Sequence, residues 1–156
     1  MTHRTSTQWT HATAVVLRET GLLLRGGSGA GKSALSMELL AEARRRGEFA
    51  SLVGDDRVAL ENCKGRLIAR PHRAISGSVE VRGAGIVSVA FERGAVIRGL
   101  VELATAEEEV DQARRTELQW ELEEICGVLV PTLPLERRDW LSRVKIALFL
   151  QHLESR

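Results

Sequence analysis

The chain has 156 residues, of which 44% are apolar and 28% charged, values typical of folded globular proteins rather than disordered or membrane chains. This length predicts a single domain over 1–156, with its core between 11 and 153. Twenty-two Lys and Arg against 21 Asp and Glu leave a formal net charge of +1, which argues against nucleic acid or an anionic membrane as a partner.

The first third of the chain predicts a hairpin followed by a helix. Residues 1–13 are polar, without the apolar segment of a signal peptide, and no run of about 18 apolar residues follows, so we expect a cytoplasmic protein. Strands are predicted over 13–18 and 22–25. A glycine loop follows them. Leu35, Leu39 and Ala43 then recur at helical spacing, and Gly47 is placed to end that helix.

The middle of the chain is predicted to be mostly sheet. A strand over 49–53 precedes a hairpin formed by 58–61 and 66–69 around Cys63, Lys64 and Gly65. Further β-rich pieces cover 79–81, 86–91 and 95–103. Cys63 and Cys126 have neither C-x-x-C spacing nor nearby histidines, so we expect two reduced thiols rather than a metal site or a disulfide.

The last third is predicted to hold a charged surface element, a short strand and a helix. The charged stretch 105–115 is typical of a solvated surface. A strand over 127–130 is expected to stop at Pro131 and Pro134. The final helix, 140–153, is expected to pack through the face that carries Trp140, Val144, Ala147 and Leu148.

The glycine loop carries the strongest chemical signal in the chain. It matches G-x-x-x-x-G-K-[ST], the phosphate-binding P-loop, and has the strand before it and the helix after it that this motif requires. Its glycines let backbone N–H groups turn toward a phosphate, Lys32 would reach the β- and γ-phosphates, and Ser33 would ligate Mg²⁺. The predicted ATP-binding residues are Gly26, Gly27, Ser28, Gly29, Ala30, Gly31, Lys32 and Ser33.

Two adjacent carboxylates are the candidates for phosphoryl-transfer chemistry. Asp55 and Asp56 end the apolar strand predicted over 49–53. A carboxylate at that edge of a sheet can orient a metal or accept a proton from the attacking group. Successive strand residues point to opposite sides, so one aspartate can act at the site while the other reaches it through metal or water. The pattern leaves open which of the two is the base.

One histidine and three segments together resemble the catalytic domain of the HPr kinase/phosphorylase family. His11 stands ahead of the first strands, the P-loop follows, and then comes Val-Gly-Asp-Asp-Arg-Val over 53–58. The most distinctive piece resembles the family's Glu-x-Arg-Gly-x-Gly-Ile signature. Its residues here are Glu80, Val81, Arg82, Gly83, Ala84, Gly85 and Ile86.

This resemblance implies both a fold and a function. The fold would be α/β, a P-loop fold with a mixed central sheet, similar to phosphoenolpyruvate carboxykinase. The activity would be ATP- and Mg²⁺-dependent phosphorylation of a serine of the phosphocarrier protein HPr, or an HPr-like protein, in regulation of the phosphotransferase system. Lys32 and Ser33 would hold ATP and Mg²⁺, Glu80 would complete the metal site, and His11 would lie beside the base.

The resemblance also implies that the protein forms a homo-oligomer, specifically a hexamer. It further implies a short form of the family that consists of the catalytic domain alone. No Pro-Gly-Arg-Asn-like loop occurs, so the reverse, phosphorylase activity is left open; Arg137, Arg138 and Arg143 are candidate substitutes for its arginine.

Two other functions fit the same residues. A nucleotide-sensing module without catalysis would keep the P-loop, although the retained aspartates and Glu80 argue against it. A small-molecule kinase could have the same P-loop and the same acidic residues at the end of the strand. That function does not explain the signature over 80–86. A GTPase is excluded because no Asn-Lys-x-Asp occurs.

Overall fold

A computed structural model describes residues 7–104, 120–136 and 140–156, with the backbone alone at Trp140. In these ranges the chain forms eleven strands, two α-helices and one 3₁₀ turn. In chain order they are β1 Gln8–Thr10, β2 Ala12–Leu17, β3 Thr20–Gly26, α1 Lys32–Arg45, β4 Ala50–Gly54, β5 Val58–Cys63, β6 Arg66–Pro71, the 3₁₀ turn Arg73–Ile75, β7 Ser78–Val81, β8 Gly85–Ser88, β9 Ala95–Leu103, β10 Glu121–Ile125, β11 Val128–Leu135 and α2 Trp140–Glu154.

Nine of these strands form one mixed sheet. Its order is β1-β5-β6-β9-β3-β2-β4, and β11 joins it through β9 and carries β10 on its other side. β3 and β11 run parallel to β9, while the remaining pairs are antiparallel. β7 and β8 form a separate two-stranded hairpin. The mixed central sheet that the resemblance implied is therefore confirmed.

The sheet has a buried core on each face. Leu22 and Leu24 of β3 belong to the first core, where they are joined by side chains of both helices, including Leu35 and Phe149. Leu23, between them in sequence, belongs to the second core, whose buried members are all strand residues. This alternation follows from the two-residue period of a strand. Both faces of β3 are thus packed, which fixes the strand that leads into the glycine loop.

Several predicted elements are confirmed with small shifts of their ends. The β5–β6 hairpin turns at Lys64 and Gly65, both with positive φ, as a two-residue turn of this kind requires. Leu35 and Ala43 of α1 are buried, Leu39 is partly buried against the same core, and Gly47 after the helix has φ 73°. The strand predicted over 86–91 is shorter, Gly85–Ser88.

The prediction that the prolines end the strand after Gly127 is wrong. β11 runs through both prolines to Leu135. Its first half pairs with β10, Pro131 opposite Leu122, and its second half pairs with β9, Pro134 opposite Glu102. Each proline therefore lies in a half of the strand that is paired on one side only. A missing N–H is tolerated there because no ladder on the second side needs it.

The predicted packing face of the last helix is also wrong. The buried residues of α2 are Ser142, Ile146, Phe149, Leu150 and Leu153, whereas Val144 and Leu148 are about half exposed. The helix was predicted correctly, but the wrong face was expected to be buried, because several apolar residues of α2 face solvent. The side chain of Trp140 and the charged stretch over 105–115 lie outside the described residues. Across the described part of the chain, no helix is long and apolar enough to span a membrane.

Candidate functional site

The glycine loop connects the carboxyl end of β3 to the first turn of α1. Gly31 precedes the helix with φ 94°, and Gly29 has φ 78°, a left-handed conformation that costs glycine little. The N–H of Ala30 donates to the carbonyl of Gly27 at 3.1 Å. No acidic residue lies in the first turn of α1, so no carboxylate of the helix itself neutralises its unpaired N–H groups and positive dipole end.

The first glycine of the loop is required by close packing. A Cβ at Gly26 would lie 2.8 Å from the carbonyl oxygen of Leu103 and 3.1 Å from the Cβ of Ala30. Leu103 pairs with Gly26 at the end of β9, the parallel neighbour of β3. A larger residue would push the loop away from the edge where the parallel strands end, which is the usual position of ligand sites in such sheets.

Lys32 lies within the glycine loop. Its side chain is buried, with the residue 7% exposed, and Nζ donates to the carbonyl oxygens of Gly26 and Gly27 at 2.9 and 3.1 Å. These bonds satisfy two of its three donors. A buried ammonium group held at the loop is a fixed positive charge at the place where phosphate-binding residues were predicted.

Asp55 is the buried member of the aspartate pair. It is 4% exposed and accepts hydrogen bonds from two hydroxyl groups. The Oγ of Ser33 lies 2.8 and 2.9 Å from its two carboxylate oxygens, and the Oγ1 of Thr13 lies 2.6 Å from Oδ1. Thr13 was not among the predicted site residues. Its signal in the sequence is a polar residue inside an apolar strand, two residues after His11.

Asp56 is the exposed member of the pair. Its carboxylate oxygen lies 3.1 Å from Nε2 of His11, and the two side chains are 69% and 58% exposed. Asp56 has φ 64°, and the N–H of Arg57 donates to the carbonyl of Asp55 at 2.7 Å. A three-residue turn of this kind is rare and strained. It directs neighbouring carboxylates into different surroundings, one buried beneath Ser33 and the other beside His11.

The signature over 80–86 forms the β7–β8 hairpin. Gly83 and Gly85 have φ 85° and 82°, and the N–H of Ala84 closes the turn on the carbonyl of Val81. Val79 is buried against the core, whereas Glu80 is exposed. Within the described residues Glu80 makes no hydrogen bond or ion pair, and no group of three or more metal-binding side chains occurs. The role of Glu80 at a metal therefore stays a prediction.

An ion-pair cluster that the sequence did not predict adjoins the glycine loop. Arg25, the last residue before Gly26, forms two parallel bonds of 2.7 Å with Glu123 and one of 2.6 Å with Glu102. The hydrogen bond to Glu123 raises the pKa of Arg25, while burial opposes this rise. The cluster joins β3 to β9 and β10. Of the predicted substitute arginines, Arg143 lies on α2, 3.9 Å from Glu38 of α1, and Arg137 and Arg138 lie outside the described residues.

The site consists of a strand that enters a glycine loop, a helix that begins at lysine, and a carboxylate beneath the following serine, which is the arrangement that the P-loop motif requires in an α/β protein. The family model of the HPr Serine kinase C-terminal domain matches residues 3–139. The chain therefore belongs to the HPr kinase family.

Curated relatives agree with this assignment. The HPr kinase/phosphorylase of Mycoplasma mycoides subsp. mycoides is 30% identical over 144 residues, which cover 87% of this chain and 44% of that protein. The HPr kinase/phosphorylase of Chlorobium phaeobacteroides is 34% identical over 134 residues, which cover 80% of this chain and 37% of that protein. The chain thus spans less than half the length of these relatives.

A solved structure supports the fold. The structure of the Hpr(Ser) kinase/phosphatase from Coxiella burnetii matches with a TM-score of 0.75 at 23% identity, covering 95% of this chain and 98% of that chain. The two proteins accordingly share the α/β fold with a mixed central sheet.

Proposed function

We propose that this chain is an ATP- and Mg²⁺-dependent protein kinase that phosphorylates a serine of HPr, or of an HPr-like phosphocarrier protein, in regulation of the phosphotransferase system. The observation that carries the proposal is the division of the two adjacent aspartates. Asp55 is buried beneath Ser33, while Asp56 is exposed beside His11. Phosphoryl transfer needs a carboxylate at each of these places, one toward the metal and one toward the nucleophile.

The residues around the loop fit a nucleotide with its metal. The backbone N–H groups of the loop and the Lys32 ammonium supply positive charge for the phosphates. Ser33 and Asp55 place hydroxyl and carboxylate oxygens side by side, within 2.9 Å of each other, and oxygen donors of this kind suit Mg²⁺. When bound, Mg²⁺ would neutralise charge that develops on the phosphate oxygens. Glu80 is proposed as a further carboxylate for it.

Asp56 is proposed as the base that accepts the proton of the substrate serine. Its exposed carboxylate can be reached by a hydroxyl on another protein, and a serine hydroxyl is a poor nucleophile until a base takes its proton. In the transfer, the serine oxygen forms a bond to the terminal phosphorus of ATP, the bond to the ADP oxygen breaks, and the proton passes to Asp56. His11, 3.1 Å away, would orient that carboxylate.

The choice of HPr as acceptor rests on the family. The two curated relatives are named HPr kinase/phosphorylase, and their names state the acceptor for those proteins. A protein acceptor also agrees with the exposure of Asp56 and His11 on the surface, since a small-molecule kinase usually encloses its substrate.

Transfer of labelled phosphate tests this proposal. The chain is incubated with γ-labelled ATP, Mg²⁺ and HPr, and with an HPr variant whose acceptor serine is alanine. Label on HPr but not on the variant is the expected result. ATP binding without transfer to a panel of HPr-like proteins would support a nucleotide-sensing module instead. A parallel incubation of phosphorylated HPr with inorganic phosphate, followed by assay for pyrophosphate, decides whether the reverse activity is present.

A further inference from the structure

Three strand ends meet beside the exposed aspartate. Thr10 of β1 pairs with Val58 of β5, and Val58 pairs with Pro71 of β6. The residues just beyond these three positions are His11, Arg57 and His72. These residues lie side by side at one end of the three strands, and Asp56 belongs to the same turn as Arg57.

An exposed aromatic side chain joins two of these residues. The guanidinium carbon of Arg57 lies 5.3 Å from the centre of the Trp9 ring, and the His72 ring lies 5.1 Å from the Trp9 ring at an angle of 58°. Trp9 is 46% exposed on β1, a strand at the edge of the sheet. A tryptophan held between a cation and a second ring keeps a defined orientation while a large apolar surface stays open to solvent.

The guanidinium of Arg57 forms no ion pair with the residues described around it. Arg57 and Arg73 are exposed, and neither forms an ion pair or hydrogen bond through its guanidinium in those residues. Contact with the Trp9 ring uses the face of the Arg57 guanidinium and leaves its N–H donors free in the plane of the group.

We propose that Trp9, Arg57 and His72 form the surface that recognises the acceptor protein, and that Arg57 binds a carboxylate close to its serine. The inference rests on the proposed kinase function and adds a specificity-determining surface to it. A protein acceptor must bring its serine to Asp56, and Arg57 is the next residue of the same turn, in contact with Trp9. The aromatic ring supplies contact area, and Arg57 supplies charge complementarity to an acidic side chain.

Steady-state transfer from ATP to HPr tests the surface, with the Michaelis constants for HPr and ATP measured separately. Arg57→Gln should raise the constant for HPr about tenfold, the value of one good contact, and leave the constant for ATP unchanged. In the unaltered protein the constant for HPr should rise between about 0.05 and 0.2 M salt, and Arg57→Gln should flatten this dependence. Arg57→Lys, which keeps the charge, should recover part of the loss.

Arg66→Gln is the matched control. Arg66 is exposed, pairs with Cys63 at the opposite end of the β5–β6 hairpin, and has no ion pair among the described residues. Removing its charge should leave both constants unchanged. A second measurement does not depend on chemistry: with a non-hydrolysable ATP analogue, HPr should change the tryptophan fluorescence of the unaltered protein, and Trp9→Phe should abolish that change.

The outcomes separate this surface from the kinase function itself. One outcome is that the unaltered protein phosphorylates HPr while Arg57→Gln has the same Michaelis constant for HPr and the same salt dependence. In that case the proposal about the surface is wrong and the kinase function stands. A change in the constant for ATP would instead assign Arg57 to the nucleotide, and an effect confined to phosphorylated HPr would assign it to the phosphate. Absence of transfer by the unaltered protein overturns both proposals.

Discussion

Replacing Asp55 by asparagine should destabilise the fold, whereas the same change at Asp56 should leave stability almost unchanged. Asp55 is 4% exposed and accepts hydrogen bonds from two hydroxyl groups, those of Thr13 and Ser33. A hydrogen bond to a charged acceptor contributes about 1.5–3 kcal/mol, against about 1 kcal/mol for a neutral one. Loss of the charge from two such bonds gives a destabilisation of about 1–4 kcal/mol. Asp56 is mostly exposed, so its replacement should change stability by less than about 0.5 kcal/mol.

The two variants should also differ in which step of the reaction they affect. Asp56→Asn should lower the rate of transfer to HPr by about 10²–10⁴, the usual contribution of a general base, with unchanged affinity for ATP. Asp55→Asn should weaken the binding of ATP with Mg²⁺ as well. Urea unfolding followed by circular dichroism measures the stabilities, and calorimetry measures ATP binding. Equal stability of the two variants, or greater damage from Asp56→Asn, would refute the division between a buried and an exposed aspartate.

Three further outcomes are expected. Lys32→Ala should abolish transfer and weaken ATP binding, measured by calorimetry, while the circular dichroism spectrum stays that of the unaltered protein; unchanged affinity would contradict the P-loop assignment. Glu80→Gln should lose transfer activity, and a higher Mg²⁺ concentration should restore part of it. Equal recovery of activity by Asp56→Asn at the same Mg²⁺ concentration would mean that Asp56 acts through the metal. Burial raises the pKa of the Cys126 thiol. In the Cys63→Ser variant, where Cys126 is the remaining cysteine, the alkylation rate should reach half its maximum at a higher pH than the alkylation rate of a cysteine in an unfolded chain.

The arrangement of the glycine loop was predictable because its residues are contiguous in the sequence. The glycine loop, Lys32 and Ser33 follow one another, and their strand and helix are strongly patterned. The two-residue turn at Lys64 and Gly65 was predictable for the same reason. Which aspartate lies beneath Ser33 was not, because that depends on the left-handed φ of Asp56, and nothing in Gly-Asp-Asp-Arg specifies it.

Features that depend on distant pairing were missed. β1 and β10 are short, and β10 carries three glutamates, so neither has the pattern of a buried strand. Pro131 and Pro134 are compatible with β11 only because its two halves have different neighbours. Arg25, Glu102 and Glu123 meet only after β3, β9 and β10 are brought together. Tertiary context decides such cases, and a single sequence does not display it.

The turn at Asp56 places stability and activity in conflict at one backbone position. A left-handed conformation costs a residue with a Cβ roughly 1 kcal/mol or more, and glycine avoids that cost. In a library of variants selected only for resistance to heat, glycine at this position should therefore become enriched, and the survivors would lack the proposed proton acceptor. Thermostability screens of this protein should hold Asp56 fixed, because a screen that ignores catalysis would select against it.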